Sequence, residues 1–309
     1  MASETSLIRM LRAPFFTSIL SPLFAGTLLA ILVSGSFEWL GFVLVLIMGL
    51  GLHGATNVYN DIYDTLQGTD RINLNRNDFS GGSGIIVENP DILPRMVRLA
   101  RLSLVVALVA TVGLMFVVDR ELWPLLWALY VLSAFFSKFY TAAPVKLAYR
   151  GWGEISVWFA FGPMAILVAA VSQNVALHPF VLAALPTTGL STTSILLIGE
   201  MNDEDADRKS DKMGVAARFG NRVARFFYIG VQLLLVANIA LLATLIPKGW
   251  FIALALIPYL LIFPNLVSML KDNYNDATVL KKAAGMNVQI HLLFSLLFSA
   301  GLLFTLLLN

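Results

Sequence analysis

Asn57, Asn60, Asp61 and Asp64 stand at offsets 0, 3, 4 and 7 within the stretch NVYNDIYDTLQGTD (57–70). On a helix that spacing gathers them on one face. His53 is one turn earlier on the same face, Gly68 is placed to break the helix, and Asp70 follows the break. A second set lies in GEMNDEDADRKSDK, where Glu200, Asp203, Asp207 and Asp211 stand at offsets 0, 3, 7 and 11 as one acidic stripe. Arg208, Lys209 and Lys212 follow at once. Like charges at four-residue spacing repel. A lone acid of this kind reads as a solvated helix end, but two such sets call for a compensating cation. The chain has no cysteine and only 3 histidines, so the available donors are carboxylate and amide oxygens. Such donors suit Mg2+, which is typically held by one or two carboxylates together with substrate phosphates. The chemistry these residues could do is to clamp a diphosphate between metal ions.

A third set lies in SKFYTAAPVKLAYRGWGE (137–154), which offers Lys138, Tyr140, Lys146, Tyr149, Arg150 and Glu154. Anchoring at a membrane interface accounts for Lys138. For Lys146 and Arg150, in a turn marked by Pro and Gly, two readings stand: anchoring, or neutralising a departing diphosphate. FSGGSGIIVE (79–88) is either a flexible connector or a glycine-hinged loop that touches substrate. His178 and His291 read as interfacial or buried structural residues, and His53 as a lining residue.

The elements that position these groups are membrane helices. The 309 residues are 58% hydrophobic and 13% charged, with a mean hydropathy of +0.79, far more apolar than a soluble domain. A span needs about 20 mostly apolar residues. Nine are expected, at 15–34, 38–60, 93–118, 122–141, 152–172, 179–201, 222–246, 249–268 and 286–308. Residues 6–14 read as a short interfacial helix rather than a signal peptide, because no small-residue cleavage site follows promptly. With the N-terminus cytoplasmic, 19 of the 21 Lys and Arg fall on the inner side, leaving only Arg120 and Lys248 outside, which fixes the expected orientation. The 2–3 and 6–7 connections hold 11 of the 19 acids, so both acidic sets meet at the inner edge. A net charge of +2 gives no reason to expect a nucleic-acid partner. The expected class is all-α, a single polytopic membrane domain over 1–309. A secondary transporter would carry its polar groups near the bilayer midplane, often in repeated halves, which this sequence lacks. A phosphatidyltransferase acting on CDP-linked lipids would need an Asp-Gly…Ala-Arg element before the aspartates, and none is present.

NVYNDIYDTLQGTD resembles the Asn- and Asp-rich first motif of the UbiA superfamily of intramembrane prenyltransferases, and NDEDADRKSDKMGVAARFG resembles its second. The start LRAPFFTSILSPLFAG agrees. Gly68-x-Asp70, the GGSG that follows and YTAAPVKLAYRGWGE are most similar to the 1,4-dihydroxy-2-naphthoate branch of menaquinone synthesis. Just before the second motif, where that branch often has Asn and Arg, this chain has Glu200, Met201 and Asn202. The resemblance implies nine helices around a central cavity open to the cytoplasm in the cell membrane. It implies transfer of a polyprenyl group from polyprenyl diphosphate to an aromatic acceptor, with 1,4-dihydroxy-2-naphthoate foremost. Acceptors such as 4-hydroxybenzoate, homogentisate or a glycerol-phosphate lipid are the alternatives. Asn57, Asp61, Asp64, Asp203 and Asp207 would hold Mg2+. Lys146, Arg150, Arg208 and Lys212 would steady the leaving diphosphate, with Asn60, Lys138 and Tyr140 also on the substrates. Asp70 or Glu154 would orient the acceptor or take a proton.

Overall fold

In a computed structural model, which describes residues 6–73 and 82–309, the described chain is entirely helix, turn and coil. In hydrocarbon every backbone N–H and C=O needs an internal partner, and a helix supplies them all. Among the described residues nine helices are long and apolar enough to cross a membrane: spans 1 (Ala13–Ser34), 2 (Trp39–Gln67), 3 (Pro90–Leu114), 4 (Arg120–Phe139), 5 (Gly153–Val171), 6 (Pro179–Lys209), 7 (Asn221–Leu245), 8 (Gly249–Asn273) and 9 (Ala277–Leu308).

The expected boundaries differ most at spans 2, 6 and 9, which have 29, 31 and 32 residues. At about 1.5 Å per residue, 29 residues run about 44 Å, well past the roughly 30 Å hydrocarbon layer. The acidic motifs are these overrunning ends. Span 2 stops where Gly68 turns left-handed, at a φ of 91°, and a short helix, Thr69–Ile72, carries Asp70. Span 6 stops at Lys209. Asp211, expected on the acidic stripe, therefore lies beyond the helix, exposed and at a φ of 59°. The interfacial helix expected over 6–14 shrinks to Leu7–Met10, capped by Ser6, whose hydroxyl accepts from the Arg9 N–H. Arg12 then takes a φ of 51°, breaking the run before span 1.

Two apolar cores flank the interior. One joins parts of spans 1 and 5 to spans 6–9 around Tyr228, Phe294 and Phe298. The other joins spans 1–5 around Leu23, Met48, Leu114 and Leu126. Val109, Phe116, Leu234, Leu260 and Leu307 are exposed, as lipid-facing side chains are in a bilayer protein.

Spans 5 and 6 cross backbone to backbone. Span 5 has a π-helical turn at Ala160–Met164 containing Pro163, whose missing N–H breaks the regular ladder. A Cβ on Gly162 would lie 2.5 Å from the Leu185 carbonyl oxygen and 3.1 Å from the Gly189 Cα. Small residues permit such close approach between membrane helices. Gly162→Leu is expected to lower stability by about 2–3 kcal/mol, read as a reduced melting temperature in detergent. An unchanged melt would mean the crossing is not tight.

Candidate active site

Both motifs line one chamber, with about 1070 Å3 of empty space counting the open solvent at its edge. Span 2 contributes Asn57, Asn60 and Asp64 to its lining, and the helix after Gly68 contributes Asp70. Span 6 contributes Glu200, Asp203 and Asp207, and the segment beyond it contributes Lys212. Arg12 and Tyr140 complete the polar wall. Two motifs more than a hundred residues apart thus face each other across one cavity.

Lys212 joins them. Its ammonium is 2.9 Å from Asp64 Oδ2 and 4.0 Å from Asp207 Oδ1. Burial alone would lower the lysine, but the carboxylates of Asp64 and Asp207 outweigh it and hold Lys212 well above its ordinary value. The Tyr149 hydroxyl donates to Asp64 Oδ1 at 2.8 Å and lies 2.7 Å from the Thr69 hydroxyl. Burial, and then the Asp64 charge, push that phenol up, so it remains a neutral donor. Asp203 Oδ1 accepts from the side-chain amides of Asn73 at 2.9 Å and Asn202 at 3.1 Å. Asp70 accepts from the Thr65 hydroxyl at 3.0 Å. Burial, then the charges of Asp64 and Asp61, push Asp70 up to about 7.

Asn57 donates from Nδ2 to the Leu11 carbonyl at 2.9 Å. A carbonyl only accepts, so this contact fixes which end of the amide is nitrogen. Asn60 Oδ1 accepts from Arg12 at 3.5 Å. Asp61 is buried but lies outside the chamber lining. It accepts from the Ser83 backbone N–H at 3.1 Å and from the Ser83 hydroxyl, with the Arg12 guanidinium 3.7 Å away. It therefore ties the loop at 82–84 to span 2. Gly82, at a φ of 71°, brings that loop against Asp70: an added Cβ would meet Asp70 Oδ1 at 2.8 Å. Residues 79–81 of the glycine-rich stretch lie outside the described residues.

Several expected contacts are placed elsewhere. Lys138 lies over the Phe139 ring at 5.3 Å and Lys146 over the Tyr149 ring at 5.5 Å. Exposed Arg150 donates to the Pro144 carbonyl at 2.9 Å. Arg208 pairs with Glu204 at 2.6 Å and donates to the Ala217 carbonyl. None of these four cations lines the chamber; each is bound by its own loop or helix. Glu154 is also outside. Its Oε1 accepts from the Val215 N–H at 2.6 Å, beside Glu200 Oε2 at 3.1 Å from the same N–H. Glu200 is the carboxyl that reaches the chamber.

Residue type and spacing singled out the acids, and named Tyr149 without giving it a role, but missed Arg12, Asn73 and Ser83 as site partners. Arg12 is marked in sequence only as a cation just before an apolar run. Its role depends on a backbone break that the sequence does not announce.

The donor set fits Mg2+. Asp64, Asp70, Glu200, Asp203 and Asp207 line the chamber against two cations, Arg12 and Lys212, so a diphosphate could enter only with added positive charge. Among the described residues no three His, Cys, Asp or Glu converge on one point.

Next to the polar chamber is an apolar one of about 680 Å3, lined by Leu23, Met48, Leu52, Phe136, Ala165 and Val168 among others. The two share His53, Thr56, Tyr140, Val157 and Phe161. A charged headgroup and an apolar body therefore find adjoining compartments.

The chain is similar to known proteins. A 1,4-dihydroxy-2-naphthoate octaprenyltransferase of Mycobacterium tuberculosis is 28% identical over 251 residues, 81% of each chain. A 2-carboxy-1,4-naphthoquinone phytyltransferase of Synechocystis is 23% identical, covering 94% of this chain and 91% of the relative. A UbiA homolog from Archaeoglobus fulgidus bound to DMAPP and Mg2+ has the same fold, with a TM-score of 0.67 at 15% identity over 96% of this chain and 99% of the other. The model of the UbiA prenyltransferase family matches residues 19–293, and the chain belongs to that family of membrane-embedded prenyltransferases.

Proposed function

We propose that this enzyme transfers a polyprenyl group from polyprenyl diphosphate to 1,4-dihydroxy-2-naphthoate, with Mg2+ as cofactor and the chamber open to the cytoplasm. The observation that carries the reading is the Lys212 ammonium held between Asp64 and Asp207, in the lining of a chamber that adjoins an apolar one. The naphthoate acceptor is favoured by the names of the relatives above. The inward orientation rests on the 19 of 21 Lys and Arg at that end.

Asp64 on one wall and Asp203 and Asp207 on the other would hold Mg2+, with Asn57 two turns before Asp64 on the same helix. Asp61 would join only after releasing Ser83. Mg2+ bound there would draw charge from the bridging phosphate oxygen and favour breaking of the allylic C–O bond. Lys212 and Arg12 neutralise the departing diphosphate. Phe161 and Val157, at the seam of the chambers, exclude water from the allylic cation. A ring carbon of the acceptor supplies the electron pair of the new C–C bond while the C–O pair leaves with diphosphate. The ring then loses a proton, or carbon dioxide from the naphthoate carboxylate. Asp70, on the chamber wall, is the carboxyl assigned to the acceptor.

Membranes carrying the protein are expected to form prenylated naphthoate, detected by mass, to lose that activity in EDTA and to regain it with Mg2+. Full turnover in EDTA would overturn the metal assignment. Product with a glycerol-phosphate lipid but with no aromatic acceptor would overturn the aromatic reading. Substrate uptake into vesicles without chemistry would point to transport.

A further inference from the structure

His53 lines both chambers, on the seam where the prenyl and acceptor groups would meet. It is only 6% exposed. Its ring is wedged between Phe16, at a centroid distance of 5.5 Å, and Phe161, at 5.0 Å and edge-on. Nδ1 is buried with no hydrogen-bond partner among the described residues. Asn57, one turn further along the same helix, is the polar side chain that interacts with the ring, and with Nδ1 unpartnered Nε2 is the nitrogen we assign to it. An Nε2–H donating to the Asn57 oxygen leaves Nδ1 as a lone-pair acceptor.

Three neighbouring hydroxyls have already committed their protons: Thr56 donates to the Leu52 carbonyl at 2.8 Å, Ser137 to the Ser133 carbonyl at 2.8 Å and Ser156 to the Trp152 carbonyl at 2.6 Å. Nδ1 is left without a donor from them, on a ring packed between two phenyl rings. A buried acceptor without a donor is costly, and an intramembrane polar group of this kind marks a ligand contact.

We propose that His53 Nδ1 accepts a hydrogen bond from a ring hydroxyl of the aromatic acceptor, orienting the ring at the seam and selecting hydroxylated aromatics. The proposal rests on the aromatic-acceptor reading above. The ring hydroxyl supplies the missing donor, the ring lies at the seam on the Asp70 side, and the prenyl body runs into the apolar chamber.

The experiment pairs two enzymes with three acceptors in detergent-solubilised full-length protein. Wild type and His53→Phe are each given 1,4-dihydroxy-2-naphthoate and its mono-methyl ethers. His53→Phe is expected to raise the KM for the hydroxylated acceptor roughly tenfold, the worth of one hydrogen bond in a dry site. The KM for polyprenyl diphosphate should not move. In wild type one methyl ether should lose the same factor, and in His53→Phe that ether should lose nothing further. His53→Gln, which keeps an acceptor oxygen, should recover part of the loss. Equal losses on methylation in both enzymes, or a shift in the prenyl diphosphate KM instead, would overturn the assignment. Should His53→Phe fail to fold, a wild type indifferent to methylation at either hydroxyl overturns it alone. Wild type that prenylates no aromatic compound would instead overturn the reading on which the proposal rests.

Discussion

Asp207→Asn is expected to lower kcat/KM for prenyl transfer by about 10²–10³-fold, the scale on which one electrostatic contact to a reacting centre counts. Its effect on the ligand-free protein should have the opposite sign to that of ordinary damage. Asp207 is buried and lines the same chamber as Asp64, Asp70, Glu200 and Asp203. Lys212 is closer to Asp64, at 2.9 Å, than to Asp207, at 4.0 Å. Removing the Asp207 charge leaves the shorter pair intact and relieves repulsion among the rest. The melting temperature without Mg2+ should therefore hold or rise. What should vanish is the gain on adding Mg2+ and diphosphate together, which at 100 times Kd is worth about 2.7 kcal/mol in a protein that binds them. A metal-free melt that falls by many degrees would show Asp207 to be a structural residue.

Much of this was legible in the sequence, because membrane helices and metal-binding acids declare themselves by composition. Nine apolar runs gave nine spans, and Gly68 ended span 2 as its conformational freedom allows. The two acidic motifs meet because each continues a span past the hydrocarbon edge. What spacing could not resolve is which neighbours share the inward face. Successive residues on a helix are about 100° apart, so Asn60 and Asp61 meet different neighbours. Asn60 lines the chamber, and Asp61 turns to Ser83 on a loop far along the chain. The cations were harder still. A long flexible side chain goes where its backbone aims it. Lys146 and Arg12 both sit at left-handed φ values of 51°, yet only Arg12 lines the chamber. Proximity to a Pro- and Gly-marked turn nominated Lys146 and Arg150, but the turn folds onto its own carbonyls and Tyr149. The tertiary fold, not the local motif, brings Arg12 to Asp61 and Asn60.

Lys212→Met is expected to have the largest effect on the ligand-free enzyme. It removes the cation between the two motifs and leaves Asp64 and Asp207 facing each other uncompensated. Asp64 keeps the Tyr149 hydroxyl as a donor, but one neutral hydrogen bond does not replace an ammonium. Deleting one partner of a buried ion pair costs about 3–5 kcal/mol; with the lysine side chain 19% exposed, about 3 kcal/mol is expected. Activity should fall by about 10²-fold or more, since the lysine also faces the departing diphosphate. The two effects separate in the double variant. Lys212→Met combined with Asp207→Asn removes one charge of each sign, so the ligand-free stability should recover most of the loss while activity stays at the floor of the single variants. Residues in contact couple in this way and distant ones do not. Additive losses of stability in the double variant would mean that Lys212 and Asp207 act on the fold separately, and the two motifs would then not share the charge balance assigned to them.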